Sequence, residues 1–83
     1  MDFKAFWIQN GDNMIKEYFH KDFLSSIYFV LRIGKVAEKY QQHPDILIHS
    51  GGRVKISIPV SEYNKFTEKD HQLAKMIDEV YSC

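Results

Sequence analysis

With 83 residues, 45% of them hydrophobic and 14% aromatic, the sequence holds enough apolar material for one packed core and excludes intrinsic disorder. Eleven basic residues balance eleven acidic ones and no basic run occurs, so direct nucleic-acid binding through phosphate neutralisation is not expected. Cys83, the single cysteine, excludes an intrachain disulfide and a thiolate metal cluster. No apolar run is long enough to span a membrane, and the first residues lack the pattern of a secretory signal. A cytoplasmic protein folding as one domain over residues 1–83 is expected.

In chain order, Phe3–Gln9 suits a short helix or strand anchored by Trp7 and Ile8. Asn10-Gly11-Asp12 is a turn signal, and Asn13–His20 follows as a strand of mixed pattern. Asp22 is a good N-cap for a long helix reaching about Gln41, which Pro44 stops because the residue before a proline leaves the α region. Ile46–Ser50, the Gly51-Gly52 turn and Arg53–Ile58 form a second hairpin. Val54, Ile56 and Ile58 alternate with Arg53, Lys55 and Ser57, as a half-buried strand requires. Thr67 caps a last helix to about Tyr81, with Asp70 as its capping-box acid and Leu73, Met76, Ile77 and Val80 as its apolar stripe. The order is ββαββα, an α+β fold with a four-stranded antiparallel sheet and both helices on one face.

The long helix is apolar on two sides. At ~100° per residue, Phe23, Ile27, Val30, Leu31, Gly34 and Ala37 form one stripe, expected to face the sheet. Phe29, Ile33, Val36 and Tyr40 form a second stripe. A helix lying on a sheet needs one such face, so the second meets either the other helix of this chain or another subunit. Its heptad-like spacing favours the intersubunit contact.

Chemistry concentrates where that helix ends, in Ala37-Glu38-Lys39-Tyr40-Gln41-Gln42-His43-Pro44. A carboxylate sits on the last turn and an imidazole just beyond it. Exposed carbonyls at a helix C-terminus favour a cation there, and an imidazolium is the acid a dehydration needs to turn departing hydroxide into water. Taken alone, the string fits equally a solvated glutamate and a polar turn residue. His43, His49 and His71 have no recognised ligand spacing, so no metal and no cofactor are expected.

The string has company. Tyr18-Phe19-His20-Lys21-Asp22-Phe23, Ala37-Glu38-Lys39, His43-Pro44, Gly52-Arg53-Val54 and Thr67-Glu68-Lys69-Asp70 occur in the order and spacing of the pterin-4a-carbinolamine dehydratases, and the sequence resembles that family over nearly its whole length. The resemblance implies a reduced pterin as substrate, with His43 catalytic and Glu38, Gln42, Ser61 and Asp70 binding it. Asp70 is equally explained as a helix-start acid. Two family histidines are replaced, by Gln42 and by Ser61, so only His43 remains of three. Neither an amide nor an unassisted hydroxyl is a useful proton carrier, and weak activity is expected. His20 and His49 would compensate if folding brought either beside His43; both also suit ordinary strand positions.

The resemblance also implies a homodimer or homotetramer assembled through the long helix. The function expected is dehydration of 4a-hydroxytetrahydropterin to quinonoid dihydropterin. The alternative is a catalytically decayed interaction module, an assembly factor or transcriptional cofactor with a protein partner, since loss of two histidines alongside an intact helix stripe fits such a drift.

Overall fold

The computed structural model describes residues 7–60 and 66–82. Its elements are β1 (Ile8–Asn10), β2 (Asn13–Phe19), α1 (Phe23–Tyr40), β3 (Asp45–His49), β4 (Arg53–Pro59) and α2 (Glu68–Ser82). The expected ββαββα order holds, and the strands form one antiparallel sheet in the order β1-β2-β4-β3. The first segment, expected as helix or strand, is a strand at Ile8 and Gln9. Its residues 3–6, like Ser61 and Cys83, lie outside the described residues.

Register explains which sheet face is covered. Met14 pairs with Ile58 and Tyr18 with Val54, while Ile46 and Ile48 of β3 pair with Ile56 and Val54. Because strand side chains alternate, these residues share one face. Phe29 and Ile33 of α1 and Leu73, Ala74 and Ile77 of α2 join them in a single buried cluster. Lys16 also points inward, where Asp78 of α2 accepts from its Nζ at 2.7 Å, from Tyr18 Oη at 2.5 Å and from Trp7 Nε1 at 3.3 Å. Burial, reinforced by the Asp78 carboxylate, raises the Tyr18 phenol well above its ordinary pKa and keeps it a donor. The second turn closes onto the start of α1: His20 N donates to Gly52 O at 2.6 Å. A Cβ on Gly52 would lie 2.3 Å from His20 O, so the position needs glycine for space.

The two stripes of α1 are the reverse of expectation. Phe29 and Ile33, expected at an intersubunit interface, are 2% and 0% exposed within the monomer. Phe23, Ile27 and Leu31, expected to face the sheet, are 55%, 40% and 56% exposed. Of that stripe Ala37 is buried and Val30 packs at the margin of the cluster, while of the other stripe Val36 does the same and Tyr40 is half-buried. The physical reason lies in the buried row Ser26, Phe29, Ile33 and Ala37. Small residues at both ends let the helix sit close to the sheet, and the Ser26 hydroxyl is satisfied by Asp22 O at 3.3 Å. A serine at one end of this row and an alanine at the other made the face look the weaker of the two by hydrophobicity.

His20 packs against Phe29 and Tyr81, with ring centroids 4.8 and 5.4 Å away. Its Nε2 is buried and has no hydrogen-bond partner among the described residues. Desolvation lowers its pKa from the usual 6.5, against the opposing pull of Asp22.

Two outcomes follow. Phe29→Ala should lose about 3–5 kcal/mol in urea unfolding, the range for emptying a buried aromatic site. For His20 the unfolded chain binds the extra proton, so its contribution is full above about pH 6.5 and falls as pH drops below that value toward the depressed folded pKa. Unfolding at about pH 7.5 and about pH 5.5 should therefore show a smaller acid-side loss for His20→Phe than for the wild type.

Candidate active site at the end of the long helix

Helix α1 ends at Gln41, whose backbone turns left-handed at φ 55° and ψ 43°. Gln42 N then donates to Ala37 O at 3.1 Å and Gln41 N to Glu38 O at 3.3 Å. These are the paired bonds of a Schellman ending. The reversal sends the next two side chains to different neighbours.

Gln42 turns toward α2. Its Nε2 donates to Asp70 Oδ1 at 2.5 Å, and Asp70 is fully buried. The second carboxylate oxygen of Asp70 accepts from Thr67 N at 2.9 Å, and Asp70 N donates back to Thr67 Oγ1 at 3.3 Å. This is the capping box expected from Thr67 and Asp70, with Gln42 added as a third member. The glutamine ties the end of one helix to the start of the other.

His43 turns the other way. Its Nε2 lies 3.0 Å from Glu38 Oε2, one helical turn back. With the carboxylate accepting at Nε2, Nδ1 is the nitrogen placed to exchange a proton with a ligand. Both side chains line a groove of about 700 Å³, a size within the usual range of small-molecule sites. Its floor is apolar: Val30, Leu31, Gly34 and Ala37 of α1, with Pro44 and Ile46. Apolar walls with one polar end suit a flat heterocycle bearing a reacting hydroxyl. The pair is open to water, however, with His43 and Glu38 side chains 63% and 79% exposed.

The sequence-predicted residues therefore fall into two pairs. Glu38 and His43 share the groove; Gln42 and Asp70 are joined to each other and do not line it. Ser61 lies outside the described residues. Neither expected substitute histidine reaches His43. The His20 ring stacks in the aromatic cluster, and His49 binds Glu17 through Nε2 and Ser50 through Nδ1, the latter at 2.9 Å. His71 sits by Phe66 in another cavity, with Trp7 and Met14. Sequence reasoning missed Leu31, Gly34, Lys35 and Ile46 as groove residues. A signal existed: Leu24, Ile27, Leu31, Gly34 and Glu38 are spaced three, four, three and four apart, which carries the exposed stripe directly to the glutamate.

Known proteins resemble this chain in sequence and in fold. The profile of the family described as pterin 4 alpha carbinolamine dehydratase matches residues 3–80. A relative from Thermosynechococcus vestitus provisionally named a pterin-4-alpha-carbinolamine dehydratase is 41% identical over 71 residues, covering 86% of this chain and 74% of its own. One from Thermomicrobium roseum, under the same provisional name, is 34% identical over 76 residues, covering 92% and 81%. Two solved structures share the fold. A transcriptional coactivator/pterin dehydratase from Brucella melitensis gives a TM-score of 0.78 at 22% identity, over 90% of this chain and 81% of that one. A pterin dehydratase-like protein identified as a RuBisCO assembly factor in the alpha-carboxysome gives 0.77 at 18% identity, over 90% and 88%. The chain belongs to the pterin-4-alpha-carbinolamine dehydratase family.

Asp70→Ala removes the capping box and the Gln42 bond together. Each lost hydrogen bond to a charged group is worth about 1.5–3 kcal/mol, so the midpoint of thermal unfolding should fall by about 4–8 °C per kcal/mol lost. Asp70→Asn, which keeps an acceptor, should lose less.

Proposed function

We propose that the chain dehydrates a 4a-hydroxytetrahydropterin to the quinonoid dihydropterin in the groove beside His43. It does so as one cytoplasmic domain of a homodimer or homotetramer, without cofactor. The observation that carries this reading is the His43–Glu38 pair, 3.0 Å apart, at the polar end of an apolar groove. Glu38 holds the ring through Nε2. The imidazolium gives its Nδ1 proton to the 4a hydroxyl, which leaves as water. The neutral ring then takes the N5 proton of the pterin, and the starting state returns. One imidazole thus serves both steps in turn.

Gln42 has a different part. Its amide is held by Asp70, so it braces the loop that carries His43 and moves no proton. A site with one titrating group gives a modest rate, and both surfaces of the pair are wet. His43→Ala should slow stopped-flow dehydration by about 10²-fold if the ring is a positioned general acid, and Glu38→Gln should slow it less. Traces for His43→Ala that superimpose on the wild type contradict the enzymatic reading.

A second reading is favoured by the exposed Phe23, Leu24, Tyr28 and Leu31 on α1. On it, the chain is an interaction module, an assembly factor or transcriptional cofactor that holds a protein partner on this face. Dehydration at the uncatalysed rate together with a partner that protects this face supports that reading over the first.

A further inference from the structure

A second cavity lies at the other end of α1. Ser25, Tyr28 and Arg32, spaced three and four apart, share one side of the helix. With Lys21 just before it and Val80 and Tyr81 of α2, they line a space of about 450 Å³, within the usual range of small-molecule sites. It shares no lining residue with the groove at His43, and Ser25 and Glu38 are about 20 Å apart along the helix axis.

The cavity is built from unspent binding groups. Neither Lys21 nor Arg32 has a carboxylate within ion-pair distance among the described residues. Exposed cations are ordinarily solvated and mobile, but Arg32 is held in place: its Nη2 donates to Val80 O at 3.2 Å. The remaining N–H groups of the guanidinium are left to bind, in a fork that suits a carboxylate. Tyr28 and Tyr81, 58% and 42% exposed, supply aromatic surface beside the two cations. His20 is also on the wall. Its buried Nε2 is a polar group whose hydrogen-bonding capacity the described residues leave unused, and such groups are rare enough to need a reason.

We propose that this cavity binds a small aromatic carboxylate, with its ring against Tyr28 and Tyr81 and its carboxylate on Lys21 and Arg32. Charge sets the valence of the ligand. Asp22 is near enough to Lys21 for its carboxyl to be held below the usual range partly by that ammonium. The carbonyl end of α2, at Val80, carries about half a negative charge. Against two cations, these leave room for one anionic charge and disfavour two, so a monoanion is preferred to a phosphate dianion. The apolar surface of the wall makes the same choice between a ring acid and a bare ion. None of this rests on the reading of the His43 groove, because the two sites share neither residues nor chemistry.

Titration of the isotopically labelled chain, followed through its backbone amide resonances, tests the proposal with phenylacetate as the probe. Phenylacetate should shift Lys21, Ser25, Arg32 and Tyr81 saturably and leave Glu38 and His43 in place. Phenylacetamide, which keeps the ring and loses the charge, should bind at least about tenfold more weakly, the size expected for losing a charge-assisted bond. Inorganic phosphate should bind more weakly than phenylacetate. Equal affinity for acid and amide, tighter binding of phosphate, or shifts centred on Glu38 and His43 each overturn the proposal, as does the lack of any saturable shift at millimolar phenylacetate.

Arg32→Gln should also cost at least about tenfold in phenylacetate affinity. Because Arg32 caps α2 as well, Lys21→Gln is the cleaner variant: its side chain is exposed and makes no hydrogen bond among the described residues. It should keep the wild-type spectrum without ligand and lose a similar factor in affinity. Lys21→Gln that binds phenylacetate as tightly as the wild type overturns the site.

Discussion

The left-handed turn at Gln41 decides what the end of α1 does. A non-glycine residue pays a steric penalty there of about 1–2 kcal/mol, and the two backbone bonds to Ala37 and Glu38 help hold it in place. From that point Gln42 and His43, adjacent in the chain, belong to different parts of the molecule. The glutamine joins the two helices through Asp70, and the histidine returns along α1 to Glu38. Extending the helix by one residue would rotate both away from their partners.

Support for that turn comes from several directions. Helix α1 is seated by Phe29 and Ile33 on the covered sheet face, and α2 is seated beside it by Leu73 and Ile77. At the far end, Arg32 Nη2 donates to Val80 O at 3.2 Å and Tyr81 Oη to Phe19 O at 2.9 Å. A cation on the last carbonyls of α2 is where the helix dipole favours one. The helices are therefore clamped at both ends, and the Gln42–Asp70 bond is the clamp nearest the candidate site. A glutamine at this position supplies a donor for Asp70 without carrying a titratable proton.

Much of this was legible in the sequence. Turn chemistry at Gly11 and Gly51, alternation in Val54–Ile58, and the caps Asp22 and Thr67 placed β2, α1, the β3–β4 hairpin and α2 close to where they lie, because each signal is local, while the first segment stayed open between helix and strand. The string placed the Glu38 carboxylate on the last turn and the His43 imidazole just past it, and the fold then brought the two within 3.0 Å. What failed depended on tertiary context. Two apolar stripes on one helix are equivalent to a hydrophobicity argument, and only the sheet and α2 together choose between them. Ser26 and Ala37 made the buried face look the weaker, although small residues are what close packing against a sheet requires. The commitment of Gln42 to Asp70 was hidden for a similar reason: the partners are 28 residues apart and meet only through the fold.

The central claim is that a reduced pterin is handled in the groove at His43. A crystal soaked with a dihydropterin tests it most directly. The account predicts the ring system against Leu31, Pro44 and Ile46, with a polar edge within hydrogen-bond distance of His43 Nδ1. A ring bound on the Gln42–Asp70 side, or anywhere that leaves the His43 ring in water, contradicts it.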